Sequence, residues 1–476
     1  MAPGEDGLDV AIAALQARGR FGIRLGLGRT RALLRALGSP EAGLRGVLIG
    51  GTNGKGSVQA MVGAALAAGG VRVGQAPKPH LVEYRERIIV DGHLLTPADF
   101  GETLRAALAA SDEVASRHGP PTEFEVLTAA AFLAFARARV EVAVVEVGLG
   151  GRLDATNAWD GGVAAVTNVA LDHMEHLGSS LASIGREKAA IIKRGDLAVT
   201  GTGGDGLAPI RRRATRLRVP LTITEPAQVL GMDRVGLRVR LSGLGEVRLG
   251  LLGRHQAANA AVAVAILEAL RRAGIADLSS DAMRRGLAGA RWPGRLELLA
   301  ISPDGHAEPA SSERPDPDAP DLLLDGAHNP DGVRAFLEAF DELRPRLSPG
   351  RPTLMLGLMA DKDVAGIIGP LAAADALRGA RIITTRCDAP RAVPAADLVT
   401  AWRSLANARA GHELVAWETV DAALEAALAA VRADGGPLLV AGSLYLVGAV
   451  RGRLISAPDG RAEERTSARW PTQHPS

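Results

Sequence analysis

The chain has 476 residues, of which 47% are hydrophobic, and its formal net charge at pH 7 is +2. This length predicts two or three domains, and the near-neutral charge, without a clustered basic face, argues against a nucleic-acid partner. Because the sequence has no apolar stretch long enough to span a membrane, no signal-peptide pattern and a single cysteine, Cys387, we expect a cytoplasmic protein without a membrane partner.

A glycine-rich segment, residues 50–57, follows the first apolar run of the chain. The run Val47–Ile49 is typical of a buried strand, and the small residues of Ser57–Ala68 are compatible with a helix. Glycines in such a turn let backbone N–H groups converge on an anion, and the helix N-terminus adds a positive dipole. The segment departs from the standard phosphate-loop pattern at Ile49 and Gly56. A purely structural turn is the alternative, but the strand, the lysine and the serine together favour nucleotide binding.

Lysine is rare in this chain. Lysine and arginine together number 55, yet lysine stands only at positions 55, 78, 188, 193 and 362. One explanation is codon bias, in which the few remaining lysines have no particular function. The other is that these positions need a primary amine, either as a compact phosphate binder or as a group with adjustable protonation. We favour the second interpretation, also for Lys188, which would otherwise be a solvated lysine of the helix predicted over 183–192.

Two predicted strands lead to side chains that suit a metal ion. The segment Val142–Glu146 has the composition of a buried strand, and its last residue is an acid. In phosphate-loop proteins an acid at this place meets Mg²⁺, directly or through water. The strand predicted over Val163–Val169 ends just before Asp172 and His173. An Asp-His pair is usually a cap or a surface feature, but beside Glu146 we favour a metal role for His173.

The second half of the chain repeats the alternation of strands and helices. Residues 302–320 are rich in Pro, Asp, Ser and Glu, which predicts a flexible insertion or linker. From residue 322 onward, strands and helices alternate, which predicts a second doubly wound domain with a parallel sheet. The predicted divisions are a first domain at 1–300, the insertion at 301–320, a second domain at 321–455 and a disordered tail at 456–476.

Several short motifs occur in one order along the chain, at residues 51–57, 146–157, 171–178, 187–189, 255–259, 292–295, 325–331, 361–363 and 442–448. Through them the chain resembles the folylpolyglutamate synthase/dihydrofolate synthase family of the Mur ligase superfamily. The resemblance covers nearly the whole chain, apart from the insertion and the tail. A single motif of this kind is weak evidence, whereas this many in order are strong evidence.

The resemblance implies an α/β fold, with a phosphate-loop ATPase domain built on a parallel sheet and a smaller Rossmann-like C-terminal domain. The active site would lie in the cleft between the two domains of a monomer. The implied cofactors are ATP and Mg²⁺, and the implied substrates are L-glutamate and a folate or dihydropteroate. In the implied reaction ATP phosphorylates a carboxylate, and the amine of L-glutamate attacks the acyl phosphate.

The resemblance also implies site residues, position by position. Catalytic roles fall on Lys55, Lys188, Asp325 and His328, and Lys188 matches a lysine that is carbamylated by CO₂. The residues implied to bind ATP are Thr52, Asn53, Gly54, Lys55, Gly56, Ser57, Asn259, Arg295 and Asp325. The residues implied to bind the metal are Ser57, Glu146 and His173. Substrate binding falls on Thr122, Phe124, Glu125, Leu153, Asp154, Ala155, Ser443 and Tyr445.

One loop departs from the family pattern. Most relatives have Thr-Ser-Pro there, with a serine that helps to ligate Mg²⁺, whereas this chain has Pro77-Lys78-Pro79. An ammonium group cannot coordinate a cation. We therefore expect Lys78 to contact Glu146 or the ATP phosphates, the alternative being that it points into solvent.

Two other functions stay open at this point. A Mur-type ligase of cell-wall synthesis shares the scaffold, although residues 55–57 and 292–295 favour the folate branch. A phosphate-loop regulatory protein is the alternative from another class, but it leaves the second domain and Lys188 without a role. The sequence does not decide whether dihydropteroate is a substrate, which folate is preferred or how many glutamates are added.

Overall fold

The computed structural model describes residues 5–21, 26–314, 319–406 and 411–455. The tail expected to be disordered from residue 456 lies outside the described residues. No helix in these ranges is long and apolar enough to cross a membrane.

The first sheet is mostly parallel. Within the described ranges it contains eight strands, namely β1 (Arg45–Gly50), β2 (Val73–Ala76), β3 (Ile89–Val90), β4 (His93–Leu94), β5 (Val142–Glu146), β6 (Gly162–Val166), β7 (Leu197–Thr200) and β8 (Leu221–Ile223). Their spatial order is β4-β3-β2-β5-β1-β6-β7-β8, and β3 and β4 are antiparallel to their neighbours. The strand order reverses at β1, so the loops that follow β1, β5 and β6 meet at one edge.

Helices cover both faces of this sheet. They are α1 (Glu5–Gln16), α2 (Gly28–Ala36), α3 (Lys55–Ala68), α4 (Pro97–His118), α5 (Glu123–Arg137), α6 (Met174–Leu177), α7 (Leu181–Ala189), α8 (Gly204–Leu217), α9 (Gln256–Arg272) and α10 (Ser280–Gly289). Val47 and Ile49 of β1 pack in the same hydrophobic cluster as α3 and α9, whereas Leu48 packs with α4 and α5. Successive side chains of a strand point to opposite faces, and a sheet buried on both faces therefore needs the continuous apolar run of β1.

A small antiparallel sheet stands between the first sheet and the C-terminal domain. It contains β9 (Gln228–Asp233), β10 (Gly236–Leu241) and β11 (Gly245–Leu249). Alternate residues of β10, namely Leu237, Val239 and Leu241, are buried in the cluster that contains α9.

The second sheet is the core of the C-terminal domain. Its strands in the described part of the chain are β12 (Glu297–Ile301), β13 (Ala307–Pro309), β14 (Asp321–Leu324), β15 (Thr353–Leu356), β16 (Arg381–Thr385), β17 (Glu413–Trp417) and β18 (Leu438–Ala441). Their spatial order is β13-β12-β14-β18-β15-β16-β17, and the five strands from β14 to β17 in this order are parallel. The helices on its two faces are α11 (Pro330–Leu343), α12 (Val364–Ala373), α13 (Ala395–Leu405), α14 (Val420–Asp434) and α15 (Leu444–Leu454).

The expectation of a flexible insertion at 301–320 requires correction. Strands β12 and β13 form an antiparallel hairpin, and β12 also pairs with β14, so the second sheet begins at Glu297. Strand β13 lies at the edge of the sheet and is short, and its residues Glu308 and Pro309 are exposed. Proline and charged residues are frequent on such edges. Residues 315–318 lie outside the described ranges.

A buried ion pair joins the small sheet to the C-terminal domain. Arg234, in the turn between β9 and β10, donates to both carboxylate oxygens of Asp321 at 2.7 and 3.1 Å, and also to the carbonyl oxygens of Ser311 and Arg346. The side chains of Arg234 and Asp321 are 4% and 2% exposed. A guanidinium suits this place because it presents several donors in a fixed plane.

We expect Arg234→Ala to lower the free energy of unfolding by about 3 kcal/mol, because the buried Asp321 carboxylate loses its bidentate partner and keeps only Ser348 and the more distant Arg314 among the described residues. Arg240→Ala is the matched control, since Arg240 lies on the same small sheet in an exposed pair with Glu246. That pair should contribute less than about 1 kcal/mol. Urea denaturation measures both variants, and equal losses would contradict a special role for the buried pair.

Candidate active site

A cavity of about 720 Å³ lies between the two domains, at the carboxyl edges of their sheets. The loops after β1, β5 and β6 form its first wall, and the loop after β14 forms the facing wall. In open α/β sheets ligands bind at this edge, where the strand order reverses. The cavity is therefore the candidate active site.

The glycine-rich loop between β1 and α3 forms the floor of the cavity. Gly51 and Gly54 have φ values of +146° and +82°. A Cβ atom on Gly54 would lie 2.2 Å from Oδ1 of Asn259, and one on Gly56 would lie 2.7 Å from ring atoms of Trp292. Gly56 stands where the standard pattern has Ser or Thr, and the indole leaves no room for either. The departure of this loop from the standard pattern thus has a local packing reason.

Lys55 begins α3 and folds back over its own loop. Its Nζ donates to the carbonyl oxygens of Gly51 at 3.1 Å and Thr52 at 3.0 Å. Burial lowers the pKa of the Lys55 amine, while the negative charge of Glu146 opposes this shift. The ammonium group therefore lies beside the backbone N–H groups at the start of the helix, where anions bind.

Lys188, on α7, reaches the same loop from the other side. It is only 4% exposed, and its Nζ donates to the carbonyl oxygen of Gly51 at 2.8 Å. Lys55 and Lys188 thus share one carbonyl acceptor. Burial, and then the charge of Lys55, lower the pKa of Lys188 to about 7. A substantial fraction of this amine is therefore neutral near pH 7.

Glu146, the last residue of β5, is 3% exposed and accepts the backbone N–H of Lys78 at 3.1 Å. Burial raises the pKa of the Glu146 carboxyl, and the charge of Lys55 opposes that rise. The ammonium of Lys78 donates to the carbonyl oxygen of Glu146 at 2.9 Å and lies 4.2 Å from the ring centroid of Phe124. Lys78 therefore points into the cavity and contacts Glu146, which is one of the two contacts expected from the sequence.

The three residues expected to hold a metal all line the cavity. No cluster of three His, Cys, Asp or Glu side chains suited to a metal occurs among the described residues. Mg²⁺ usually binds through one or two protein ligands, with waters and substrate phosphates completing its octahedron. The hydroxyl of Ser57 and the carboxylate of Glu146 fit this donor set. His173 stands at the rim, with its side chain 41% exposed.

The wall opposite the phosphate loop is formed by the residues after β14. The Asp325 carboxylate accepts the backbone N–H groups of Leu296 and Ala327, each at 2.8 Å, and burial raises its pKa. Nδ1 of His328 lies 2.8 Å from the carbonyl oxygen of Gly326, and burial lowers the pKa of His328 to about 4. His328 is therefore a neutral imidazole near pH 7, and no described residue forms a hydrogen bond with its Nε2.

Asn259 and Arg295 also line the cavity, together with Thr52, Asn53 and Gly54. Asn259 donates to Oε1 of Gln256 at 2.9 Å. Two contacts that the sequence did not predict cross the cleft. Asn329 donates to Oδ1 of Asn53 at 3.1 Å, and Lys362 pairs with Asp172 at 3.4 Å. Only the packing of the two domains brings these residues together, so spacing along the chain gave no signal for either contact.

Most of the residues expected to bind substrate lie outside this lining. In the described part of the chain, Phe124 lines the cavity, whereas Thr122, Glu125, Leu153, Asp154, Ala155, Ser443 and Tyr445 do not. Thr122 and Glu125 form the capping box of α5, and Glu125 also pairs with Arg29 at 3.0 Å. Asp154 accepts the N–H groups of Gly148 and Leu149.

The contacts that these side chains make shape the backbone around the cavity, and their part in substrate binding stays a prediction. A threonine at the N-cap with a glutamate three residues later satisfies the first N–H groups of a helix, and a buried aspartate can fix a glycine-rich turn. Ser443 likewise caps α15 by accepting the N–H of Tyr445, whose own side chain is exposed.

Residues 49–267 match the Mur ligase middle domain, and residues 314–444 match the glutamate ligase domain of Mur ligases. The two matched regions lie in the two α/β domains of this chain, and the phosphate loop of the first domain faces the cleft. The protein is therefore an ATP-dependent ligase of the Mur type.

Relatives at the level of whole chains are more specific. The dihydrofolate synthase/folylpolyglutamate synthase of Bacillus subtilis (strain 168) is 32% identical over 453 residues, which are 92% of this chain and 97% of that protein. A structure of Mycobacterium tuberculosis folylpolyglutamate synthase complexed with ADP and AMPPCP has a TM-score of 0.77 at 32% identity, covering 94% of this chain and 100% of that chain. Escherichia coli FolC in complex with DHPP and ADP has a TM-score of 0.75 at 29% identity, covering 92% and 96%. The chain belongs to the folylpolyglutamate synthase/dihydrofolate synthase family, which confirms the prediction from its motifs.

Proposed function

We propose that this cytoplasmic, monomeric enzyme joins L-glutamate to a folate, with hydrolysis of ATP to ADP and phosphate. The observation that carries the proposal is the meeting of Lys55, Lys188 and Glu146 at the phosphate loop, inside a cleft closed by the C-terminal domain. A second substrate, dihydropteroate, is proposed because relatives of this chain are named dihydrofolate synthases.

A carboxylate and an amine do not condense in water, because the carboxylate is a poor electrophile. In the proposed reaction a carboxylate oxygen of the folate attacks the γ-phosphorus of ATP, and ADP leaves. The α-amine of L-glutamate then attacks the carbonyl carbon of the acyl phosphate, phosphate leaves and the nitrogen loses a proton. Phosphoryl transfer of this kind depends chiefly on positioning and on neutralisation of charge.

The residues of the cavity suit these tasks. Lys55 and Arg295 would bind the phosphates of ATP, Asn259 would lie towards the adenine and Asp325 towards the ribose. Neutral His328 has an imidazole nitrogen that could accept a hydrogen bond from the attacking amine. The contacts Asn53–Asn329 and Asp172–Lys362 would hold the two domains together during the reaction. A closed cleft protects an acyl phosphate from water.

Ser57, Glu146 and His173 are the proposed residues for Mg²⁺, which would bind together with the phosphates of ATP. When bound, Mg²⁺ supplies positive charge that neutralises the transferred phosphoryl group. Glu146 suits this role because it is buried at the end of β5, beside the phosphate loop.

We also propose that Lys188 is carbamylated. Its neutral amine nitrogen would bond to the carbon of CO₂ and lose a proton, which gives a carbamate anion. The pKa of about 7 supports this, because only a neutral amine attacks CO₂. The position also supports it, because Lys188 stands behind the phosphate loop, where an anion would offset the charge of Lys55.

The test of the proposed function is ADP release in the presence of L-glutamate. We expect turnover with a reduced folate, and also with dihydropteroate if the second substrate is correct. A muramyl nucleotide should give none, since it is the substrate type of the cell-wall ligases. Turnover with the muramyl nucleotide alone, or ADP release that does not depend on L-glutamate, would contradict the proposal.

Lys78 gives a further prediction for this site. Its ammonium contributes a positive charge beside Glu146, where the family pattern has a serine, so we expect the wild type to need little free Mg²⁺. Lys78→Ser should raise the half-saturating Mg²⁺ concentration about 10-fold, the equivalent of one charged hydrogen bond. The measurement is a Mg²⁺ titration of turnover, with ATP affinity measured by equilibrium binding.

Lys78→Met is the matched variant for this experiment, because it removes the charge without adding a hydroxyl. It should raise the Mg²⁺ requirement at least as much as Lys78→Ser. If the three Mg²⁺ titrations superimpose, with equal affinity for ATP, Lys78 has no part in neutralising the phosphates.

A further inference from the structure

Arg87 is a half-buried cation of the cavity that has no role in the function proposed above. It ends the 3₁₀ turn Tyr84–Arg87, in the loop between β2 and β3. Its side chain lines the main cavity and also a smaller adjoining one, in both cases together with Lys78 and Phe124. Burial lowers the pKa of Arg87 from its usual value, so the protein shields part of this charge from water.

One end of the Arg87 guanidinium is fixed by the protein. Its Nε donates to Nδ1 of His80 at 3.0 Å, and the His80 ring packs against Tyr84 with centroids 4.3 Å apart. Burial, and then the charge of Arg87, lower the pKa of His80 to about 4, so His80 is neutral and its Nδ1 accepts. This contact fixes the plane of the guanidinium and leaves both terminal nitrogens for another partner.

No ion pair or hydrogen bond to those terminal nitrogens is formed by the described residues. The carboxylates whose charges act on Arg87 have partners of their own. Glu123 accepts the hydroxyl of Tyr84 at 2.9 Å, and Glu146 accepts the N–H of Lys78. The free donors of Arg87 face the cavity, where a ligand can supply the acceptors.

The neighbouring Arg85 shows the contrast. Its Nε and one terminal nitrogen donate to Glu83 at 2.7 and 2.9 Å, and its other terminal nitrogen donates to the carbonyl oxygen of Leu95 at 3.1 Å. Every nitrogen of Arg85 is therefore used within the protein. Two arginines of one turn thus differ in that only Arg87 presents free donors to the cavity.

The loop that carries Arg87 also touches the C-terminal domain. A Cβ atom on Gly448 of α15 would lie 1.9 Å from the carbonyl oxygen of Leu81, so the loop and the helix are in direct contact. Tyr445, on the first turn of α15, is close enough to act electrostatically on Arg87. Arg87 therefore lies where the two domains meet, on the Phe124 side of the cavity.

We propose that Arg87 binds a substrate carboxylate through its two terminal nitrogens. This inference rests on the proposed function and adds to it the residue that recognises a substrate acid. A guanidinium binds a carboxylate through two parallel N–H···O bonds, which gives both affinity and orientation. Two substrates offer such a group. The folate has an α-carboxylate on its terminal glutamate, and the incoming L-glutamate has carboxylates that do not react.

The test is the KM of each substrate in wild type, Arg87→Gln and Arg87→Lys, with Arg85→Gln as the matched control from the same turn. Arg87→Gln should raise the KM of one substrate about 10- to 100-fold, as expected for the loss of hydrogen bonds to a charged group. Arg87→Lys should recover part of that loss, because it keeps the positive charge but cannot donate two parallel hydrogen bonds. The KM of ATP and the circular dichroism spectrum should not change in either variant.

The two reactions of the enzyme distinguish the two carboxylates. Dihydropteroate has no glutamate, so a KM that rises for the folate but not for dihydropteroate assigns Arg87 to the α-carboxylate of the folate. A KM that rises for L-glutamate in both reactions assigns Arg87 to L-glutamate. If neither KM changes in an active Arg87→Gln enzyme, or if Arg85→Gln has the same effect, the inference is overturned. Failure of the wild type to turn over any folate or dihydropteroate would instead overturn the proposed function.

Discussion

The Lys55→Arg enzyme should fold normally and lose between about 10²- and 10³-fold in kcat for glutamate-dependent ADP release, the usual cost of losing one correctly placed hydrogen-bond donor at a reacting centre. The Nζ of Lys55 fits between the carbonyl oxygens of Gly51 and Thr52, at 3.1 and 3.0 Å. A guanidinium is larger and planar and cannot occupy this space without moving the loop. The measurement is steady-state turnover together with equilibrium binding of ATP.

Lys193→Arg is the control for this experiment, since it makes the same substitution at a half-buried lysine outside the cavity lining of the described residues. Its turnover should stay within about twofold of wild type, because most substitutions away from a site have small effects. Near-normal turnover of Lys55→Arg would show that the ammonium is not the phosphate-binding group. Equal losses in both variants would show that the effect is one of stability.

The phosphate loop could be predicted because its neighbours in sequence are also its neighbours in space. The run Val47–Ile49 is a buried strand and Ser57 lies in the first turn of α3, as their residue types indicated. Glu146 ends β5 as expected, because an apolar run that stops at an acid marks the edge of a buried sheet. A local pattern of this kind predicts the structure well, because the strand, the turn and the helix follow one another directly in the sequence.

Thr122 and Glu125 show a structural role that a local principle predicts and the resemblance does not mention. The spacing Thr-x-x-Glu at the start of a helix is the signature of a capping box, and the structure uses both side chains in that way. Residues that align with a substrate-binding segment can thus shape the backbone without facing the cavity. Phe124, between them, is the residue that lines it.

Arg87 could not be found from the sequence, since arginine is the common cation of this chain and no spacing distinguishes Arg87 from Arg85. Only the structure shows that one has all its donors used and the other does not. The contacts of Asn329 and Lys362 across the cleft were hidden for a related reason. They depend on how the two sheets pack against each other, which local patterns do not encode.

The last prediction concerns Lys188. Lys188→Arg keeps a positive charge but cannot form a carbamate, so turnover should fall by about 10²-fold or more while ATP affinity changes only a few-fold. The structural reason is that Lys188 is 4% exposed and shares the Gly51 carbonyl oxygen with Lys55. A cation held permanently there adds a like charge beside Lys55, whereas a carbamate would balance it.

Two independent measurements check the modification itself. Wild-type enzyme equilibrated with ¹³C-labelled CO₂ should show a carbamate carbon signal in its NMR spectrum, and Lys188→Arg should not. Enzyme kept in CO₂-depleted buffer should lose activity and regain it when bicarbonate is added. Since the pKa of Lys188 is about 7, its amine is increasingly protonated below that pH, and reactivation should become slower there. An active arginine variant, or a wild type indifferent to CO₂ and lacking the signal, would show that Lys188 acts as an unmodified amine.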